Sequence, residues 1–217
     1  MVEPTRDARL ARLGDAQLYV CTPRRPDLAD FTRSVCAAGV DAIQLREKDL
    51  EAAAELASIS ALAVAAREYG ALVSVNDRAD LAVVAGADIL HVGQGDLTPA
   101  QARRIVGPEM LIGTSTHTPE QASAAAGDSE VDYFCAGPVH ATPTKPGRPA
   151  AGLEQVRAAA SVAEGKPWFA IGGIDLDNLD GVMAAGARRV VVVRAVTDAM
   201  NPGFAASALR DRLRTAR

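Results

Sequence analysis

Cysteine is scarce in these 217 residues: Cys21, Cys36 and Cys135 stand far apart and are odd in number. That spacing argues against a disulfide framework or a zinc motif and fits reduced thiols in a cytosolic protein. Lysine is also rare. Of 23 basic residues only Lys48, Lys145 and Lys166 are lysine, which hints that a compact ammonium is kept where arginine would not serve. No apolar run approaches the ~20 residues that span a bilayer, and residues 1–14 lack the apolar centre of a signal peptide. The expectation is a cytoplasmic protein with no membrane partner. A net charge of −4 argues against nucleic acid as a partner, because general binders display a basic face. The three histidines, His91, His117 and His140, show no HxxxH or HExxH spacing, so a zinc site is not expected. His91 reads as a packed strand residue and Cys135 as an interior thiol. No Ser-His-Asp or Cys-His set stands out.

What is present is a repeating alternation. Short apolar runs lie at 17–21, 42–45, 72–75, 89–92, 111–113, 133–136, 168–171 and 190–193. Longer, alanine-rich helical stretches follow them, the longest at about 50–69. The strands are apolar on both faces, as buried parallel strands are. Thr98-Pro99 and Thr118-Pro119 carry helix start signals, and Gly70, Gly86, Gly127 and Gly186 fall where a left-handed helix end favours glycine. No linker divides the chain, and 48% hydrophobic residues suit one core. The expected fold is a single (β/α)₈ TIM barrel over residues 1–217. A doubly wound sheet competes, but it usually carries a glycine-rich loop after its first strand, where Cys21-Thr22-Pro23 stands here.

In such a barrel the carboxyl ends of the strands build the active site. Polar residues collect there: Gln44, Arg46 and Lys48 after the second strand, Asn76 and Asp77 after the third, Asp96 after the fourth, Ser115 and His117 after the fifth. The sixth opens a long segment, 137–152, with Thr142, Thr144 and Lys145. Gly172-Gly173 follow the seventh strand, and Arg194 the eighth. Asp77 or Asp96 alone reads as an ordinary helix cap. Together, at neighbouring strand ends, they suit magnesium, which takes one or two carboxylates and completes its shell with water and phosphate oxygens. Arg46 and Lys48 alternate along one extension; a solvated surface pair is the plainer reading, and a pyrophosphate bridged to magnesium is the favoured one. Gln44 carries a donor and an acceptor suited to a heterocycle edge. The double glycine admits an anion to backbone amides. A loop of about 16 residues in a compact domain is usually functional, often a lid.

These stretches, Gln44–Lys48, Val75–Arg78, His91–Asp96, Gly113–Thr118, Gly137–Val139, Thr142–Gly147 and Ala170–Ile174, resemble in order the signatures of the thiamine-phosphate synthase family. The resemblance spans about residues 17–197. It implies a (β/α)₈ transferase that joins 4-amino-5-hydroxymethyl-2-methylpyrimidine diphosphate to a thiazole phosphate, giving thiamine phosphate and pyrophosphate. It further implies Mg²⁺ between Asp77 and Asp96. Pyrophosphate contacts would come from Arg46, Lys48, Asn76, Ser115 and Lys145, and a pyrimidine contact from Gln44. The thiazole phosphate site would comprise Thr142, Thr144, Gly173 with Gly172, and the backbone near Val193. Arg194 stands where the family usually has a small residue; turned inward it would touch the thiazole phosphate, turned outward only its amide would matter. His140-Ala141 replaces an aromatic-proline pair. Two other readings stay open: a related barrel that isomerises a thiazole carboxylate phosphate, and a non-catalytic phosphate-binding sensor. The sequence leaves a homo-oligomer open.

Overall fold

The computed structural model describes residues 4–142 and 150–215. Eight parallel strands close into a barrel in sequence order: β1 (Leu18–Thr22), β2 (Ala42–Leu45), β3 (Leu72–Asn76), β4 (Ile89–Val92), β5 (Leu111–Thr116), β6 (Tyr133–Ala136), β7 (Trp168–Ile171) and β8 (Val190–Val192). Closure is made by β1 against β8, with Leu18 opposite Val190 and Val20 opposite Val192. Helix α1 (Arg6–Asp15) precedes the barrel. Outside it run α2 (Leu28–Ala37), α3 (Ala52–Arg67), α4 (Ala79–Val84), α5 (Pro99–Val106), α6 (Pro119–Gly127), α7 (Gly152–Val162), α8 (Leu179–Ala184), the short α9 (Arg194–Thr197) and α10 (Pro202–Arg214).

Local chemistry accounts for the starts. Thr98 closes a full capping box with Gln101 ahead of α5, and the Thr118 hydroxyl accepts the Gln121 N–H ahead of α6. Each spares a helix-end amide that would otherwise lack a partner. Because strand side chains alternate, the core divides in two. One apolar layer lies between strands and helices. The other fills the barrel interior with Tyr19, Cys21, Leu72, Ile89, Leu111, Tyr133, Cys135, Phe169 and Val191. The barrel is therefore filled through its middle, as expected of this fold.

The amino-terminal end is closed. Leu13, fully buried, and Ala16 at the end of α1 join the interior cluster. Arg9 reaches Asp88 at 3.2 Å and the Glu109 carbonyl at 3.0 Å. Arg6 and Arg103 hold the Asp132 carboxylate from two sides, at 2.8 and 3.0 Å. Asp41, Asp88 and Asp132 stand immediately before β2, β4 and β6, and each accepts backbone N–H groups where the preceding strand begins. With this end plugged, the barrel opens at the carboxyl ends of its strands.

Several elements differ from the sequence reading. Helix α1 was not expected; its Thr5 cap and the Leu10 and Leu13 spacing are weak against a polar background. Strand β5 continues to Thr116 and β3 to Asn76, so Ser115 and Asn76 project from strands and not from loops. Strand β8 stops at Val192, and Val193 is the N-cap of the short α9. Gly70, Gly86 and Gly186 have the expected positive φ, but Gly127 does not: it stays within α6 and Asp128 ends the helix.

Candidate active site

The open end of the barrel holds a cavity of about 830 Å³. Gln44, Arg46, Lys48, Asn76, Asp77, Asp96, Ser115, Thr142, Gly172, Gly173, Val193 and Arg194 all line it. Thr144 and Lys145, the remaining expected contacts, lie outside the described residues. One rim comes from β2 to β5 and the other from β6 to β8, so the mouth has two chemically different sides.

On the first side, Asp77 directly follows β3, its backbone in the left-handed region at φ 61°. Its N–H is tied to the His91 carbonyl at 2.9 Å. Asp96 comes from the turn after β4, where the Gly93 N–H donates to its Oδ2 at 2.8 Å. Asp77 and Asp96 both line the mouth, close enough for Asp96 to raise the Asp77 carboxyl. Burial, then the contact with Asp96 and the repulsion between the two carboxylates, push Asp77 up to about 6, against the pull of Lys48 and Arg46. Two carboxylates held together at such a cost invite a divalent cation. Among the described residues no group of three or more His, Cys, Asp or Glu could hold a metal, so a thiolate or imidazole site is not offered. A two-carboxylate pair beside two cations fits a hard ion that keeps open positions for water and phosphate oxygens.

The floor of the cavity is a hydrogen-bonded chain running across the barrel. Gln44 donates through Nε2 to Tyr19 Oη at 3.0 Å and to Ser74 Oγ at 3.1 Å, and accepts from Cys21 Sγ at 3.3 Å. Tyr19 Oη meets Tyr133 Oη at 3.5 Å. His91 then bridges Tyr133 Oη at 2.9 Å and Ser115 Oγ at 3.0 Å. Burial holds both phenols well above their ordinary value, so they remain neutral members of the chain. His91 is thus not only a packed strand residue; its ring lines the mouth and is part of this chain.

The second side is built from backbone. Gly172 and Gly173 have φ of 106° and 63°, a conformation that side chains resist. A methyl on Gly172 would press on Pro138, and one on Gly173 on His140. The β6 segment is laced to this turn: Val139 N–H donates to the Ile171 carbonyl and His140 N–H to the Gly172 carbonyl, both at 2.9 Å. Ala151 and Gly152 return N–H bonds to Pro138 and Val139, pinning the base of the long loop. His117 donates from Nδ1 to the Gly137 carbonyl at 2.6 Å, since a carbonyl only accepts. Short α9 beginning beside a double-glycine turn is the arrangement in which many such barrels hold phosphate.

A family model described as thiamine monophosphate synthase matches residues 18–196. The thiamine-phosphate synthase of Acidothermus cellulolyticus is 56% identical over 209 residues, covering 95% of this chain and 99% of that one. That of Streptomyces avermitilis is 54% identical over 213 residues, covering 97% and 99%. A solved structure, thiamine phosphate pyrophosphorylase from Pyrococcus furiosus, aligns with a TM-score of 0.85 at 31% identity, over 95% of this chain and 98% of that one. The chain belongs to the thiamine monophosphate synthase family.

Within this family frame, the two departures noted in the sequence have definite positions. Arg194 opens α9 with its side chain exposed yet lining the mouth. His140 packs beside Gly173, and among the described residues its buried Nε2 has no hydrogen-bond partner. The sequence reading missed Tyr19, Cys21 and Cys135 as lining residues. The signal for Tyr19 and Cys21 was available: two apart on β1, they share one face of the strand.

Proposed function

We propose that the chain catalyses thiamine phosphate formation, transferring the (4-amino-2-methylpyrimidin-5-yl)methyl group of 4-amino-5-hydroxymethyl-2-methylpyrimidine diphosphate to the ring nitrogen of 4-methyl-5-(2-phosphooxyethyl)thiazole. Both substrates are small anions, and the partners of the chain are these molecules. The observation that carries this reading is the two-sided mouth. Asp77, Asp96, Arg46, Lys48 and Asn76 gather on one side, and a backbone phosphate cradle at Gly172-Gly173 and Val193 faces them. A tautomerase of a thiazole phosphate, or a phosphate sensor, has no use for the carboxylate and cation group.

In this reading Arg46, Lys48, Asn76 and Ser115 bind the diphosphate, joined by Lys145, and draw its charge away from the breaking C–O bond. The bond's electron pair leaves with pyrophosphate. The electron-rich aminopyrimidine carries the resulting cation, with Gln44 orienting the ring. The thiazole nitrogen lone pair then forms the new C–N bond, so no protein nucleophile is required. Gly172, Gly173, Val193, Thr142 and Thr144 hold the thiazole phosphate, with Arg194 adding a side-chain cation from the rim. Asp77 and Asp96 would hold Mg²⁺, which supplies electrostatic stabilisation of the departing pyrophosphate when bound. Holding two substrates in one mouth adds the orientation advantage. Residues 1–217 act as one catalytic domain. Among the described residues no helix is long and apolar enough to cross a membrane, and the cytoplasm is the proposed location.

The test is to mix the purified protein with both substrates and Mg²⁺, then read thiamine phosphate by oxidation to fluorescent thiochrome. Product that vanishes with EDTA and with Asp96→Ala supports the reading. Folded protein that binds thiazole phosphate but yields no product overturns it.

A further inference from the structure

Asp77 and Asp96 are anchored very differently. Asp77 is half-buried and hydrogen-bonded through its backbone to β4. Asp96 is exposed on the turn between Val92 and Pro99. That turn is closed on itself: Asp96 N–H meets the Gly93 carbonyl at 3.3 Å, and Gly93 N–H meets Asp96 Oδ2 at 2.8 Å. Such bonds give the turn its shape but do not fix where it sits over the barrel. One bond does cross. Gln94 Nε2 donates to the Ser115 carbonyl on β5 at 2.7 Å. Ser115 is itself held through its hydroxyl by His91 at 3.0 Å, so the far end of the latch is rigid.

We propose that Gln94 is a positioning residue for the cation site, latching the Asp96 turn to β5 so that Asp96 stays within reach of Asp77. In this proposal Gln94 acts through Asp96, by holding its turn in place, and is not itself a cation ligand. The proposal rests on the reading of Asp77 and Asp96 as the cation pair. It follows from a general property of metal sites, that the groups orienting a ligand matter nearly as much as the ligand. An exposed glutamine elsewhere on a turn would carry no such consequence.

Gln94→Met keeps the side-chain length and removes the donor. Mn²⁺ serves as the spectroscopic probe for Mg²⁺, titrated by electron paramagnetic resonance in the presence of inorganic pyrophosphate. Affinity for Mn²⁺ should fall about tenfold, the low end of what loss of an orienting partner costs, with Tm unchanged. In turnover, the Mg²⁺ concentration giving half the maximal rate should rise by a similar factor, while kcat at saturating Mg²⁺ falls far less. Equal Mn²⁺ affinity in variant and parent overturns the latch while leaving the cation pair standing. A lower Tm and kcat with unchanged Mn²⁺ affinity overturns it too, by making Gln94 merely structural. If the parent binds no Mn²⁺ with pyrophosphate present, the cation pair itself falls and the latch with it.

Discussion

Tyr133 lies across Gly113, its register partner on the neighbouring strand, and a methyl group at Gly113 would overlap the phenol ring. A glycine within a strand weakens it, and this one is there because a ring passes over it. Gly113→Ala is expected to push Tyr133 out of the floor chain. Forced overpacking typically costs about 1–3 kcal/mol, so the denaturant midpoint should drop by a corresponding amount and turnover should fall with it. Unchanged stability would mean that the ring yields easily and does not depend on this gap.

Tyr133→Phe isolates the polar contribution of the same ring. The hydroxyl joins His91 to Tyr19, and its removal leaves a buried imidazole nitrogen without that partner. An unmet buried polar group costs about 1–3 kcal/mol, which unfolding in urea would register. His91 also loses one of its ring contacts, and Ser115 loses a firm partner through it. We expect kcat to fall while Mn²⁺ affinity at Asp77 and Asp96 is kept. A parallel loss of Mn²⁺ affinity would show that the floor chain supports the carboxylates as well.

The barrel was readable from the sequence because its signals are local. An apolar run such as Ile89–Val92, followed by Thr98-Pro99, names a strand and a helix start without reference to distant residues. Helix α1 was not readable for the opposite reason. Arg6 and Arg9 find their meaning in Asp132 and Asp88, which lie 126 and 79 residues away, and only barrel closure brings these together. The floor chain repeats the lesson. Tyr19, Gln44, Ser74, His91, Ser115 and Tyr133 come from six different strands, so no spacing along the chain could announce them. The rim residues were easier to find, because strand ends are where such barrels keep their chemistry. What the sequence did not convey was that Gln44 and Ser115 belong to one hydrogen-bonded chain.

His140 offers a prediction of opposite sign. Its Nε2 is buried with no partner among the described residues, a desolvation cost that a ring without nitrogen does not incur. His140→Phe should keep the packing against Gly173 and raise stability, by up to about 1 kcal/mol allowing for imperfect fit of the new ring. Differential scanning calorimetry would register a higher Tm with turnover retained. A lower Tm would mean that the imidazole nitrogen is satisfied in solution.

Asp77 makes stability, and metal binding at the proposed cation site, depend on pH in a defined direction. Its carboxyl is raised from 3.8 to about 6, first by burial and then by Asp96. The folded, metal-free protein therefore holds this proton more tightly than the unfolded chain does. The resulting stability is fully present below the ordinary carboxylate value and is lost as pH rises through about 6. Once Asp77 has lost its proton its charge is repelled by Asp96, and a divalent cation relieves that repulsion. Mg²⁺ should consequently raise Tm strongly at about pH 7.5 and weakly at about pH 5, where it must displace a proton. Asp77→Asn removes both the proton and one of the two proposed cation ligands, so its Tm should respond little to Mg²⁺ at either pH. Thermal unfolding of the two proteins, with and without Mg²⁺, separates the possibilities. A Mg²⁺ effect equal at both pH values in the parent would place the titration elsewhere, and an undiminished effect in Asp77→Asn would remove Asp77 from the cation site.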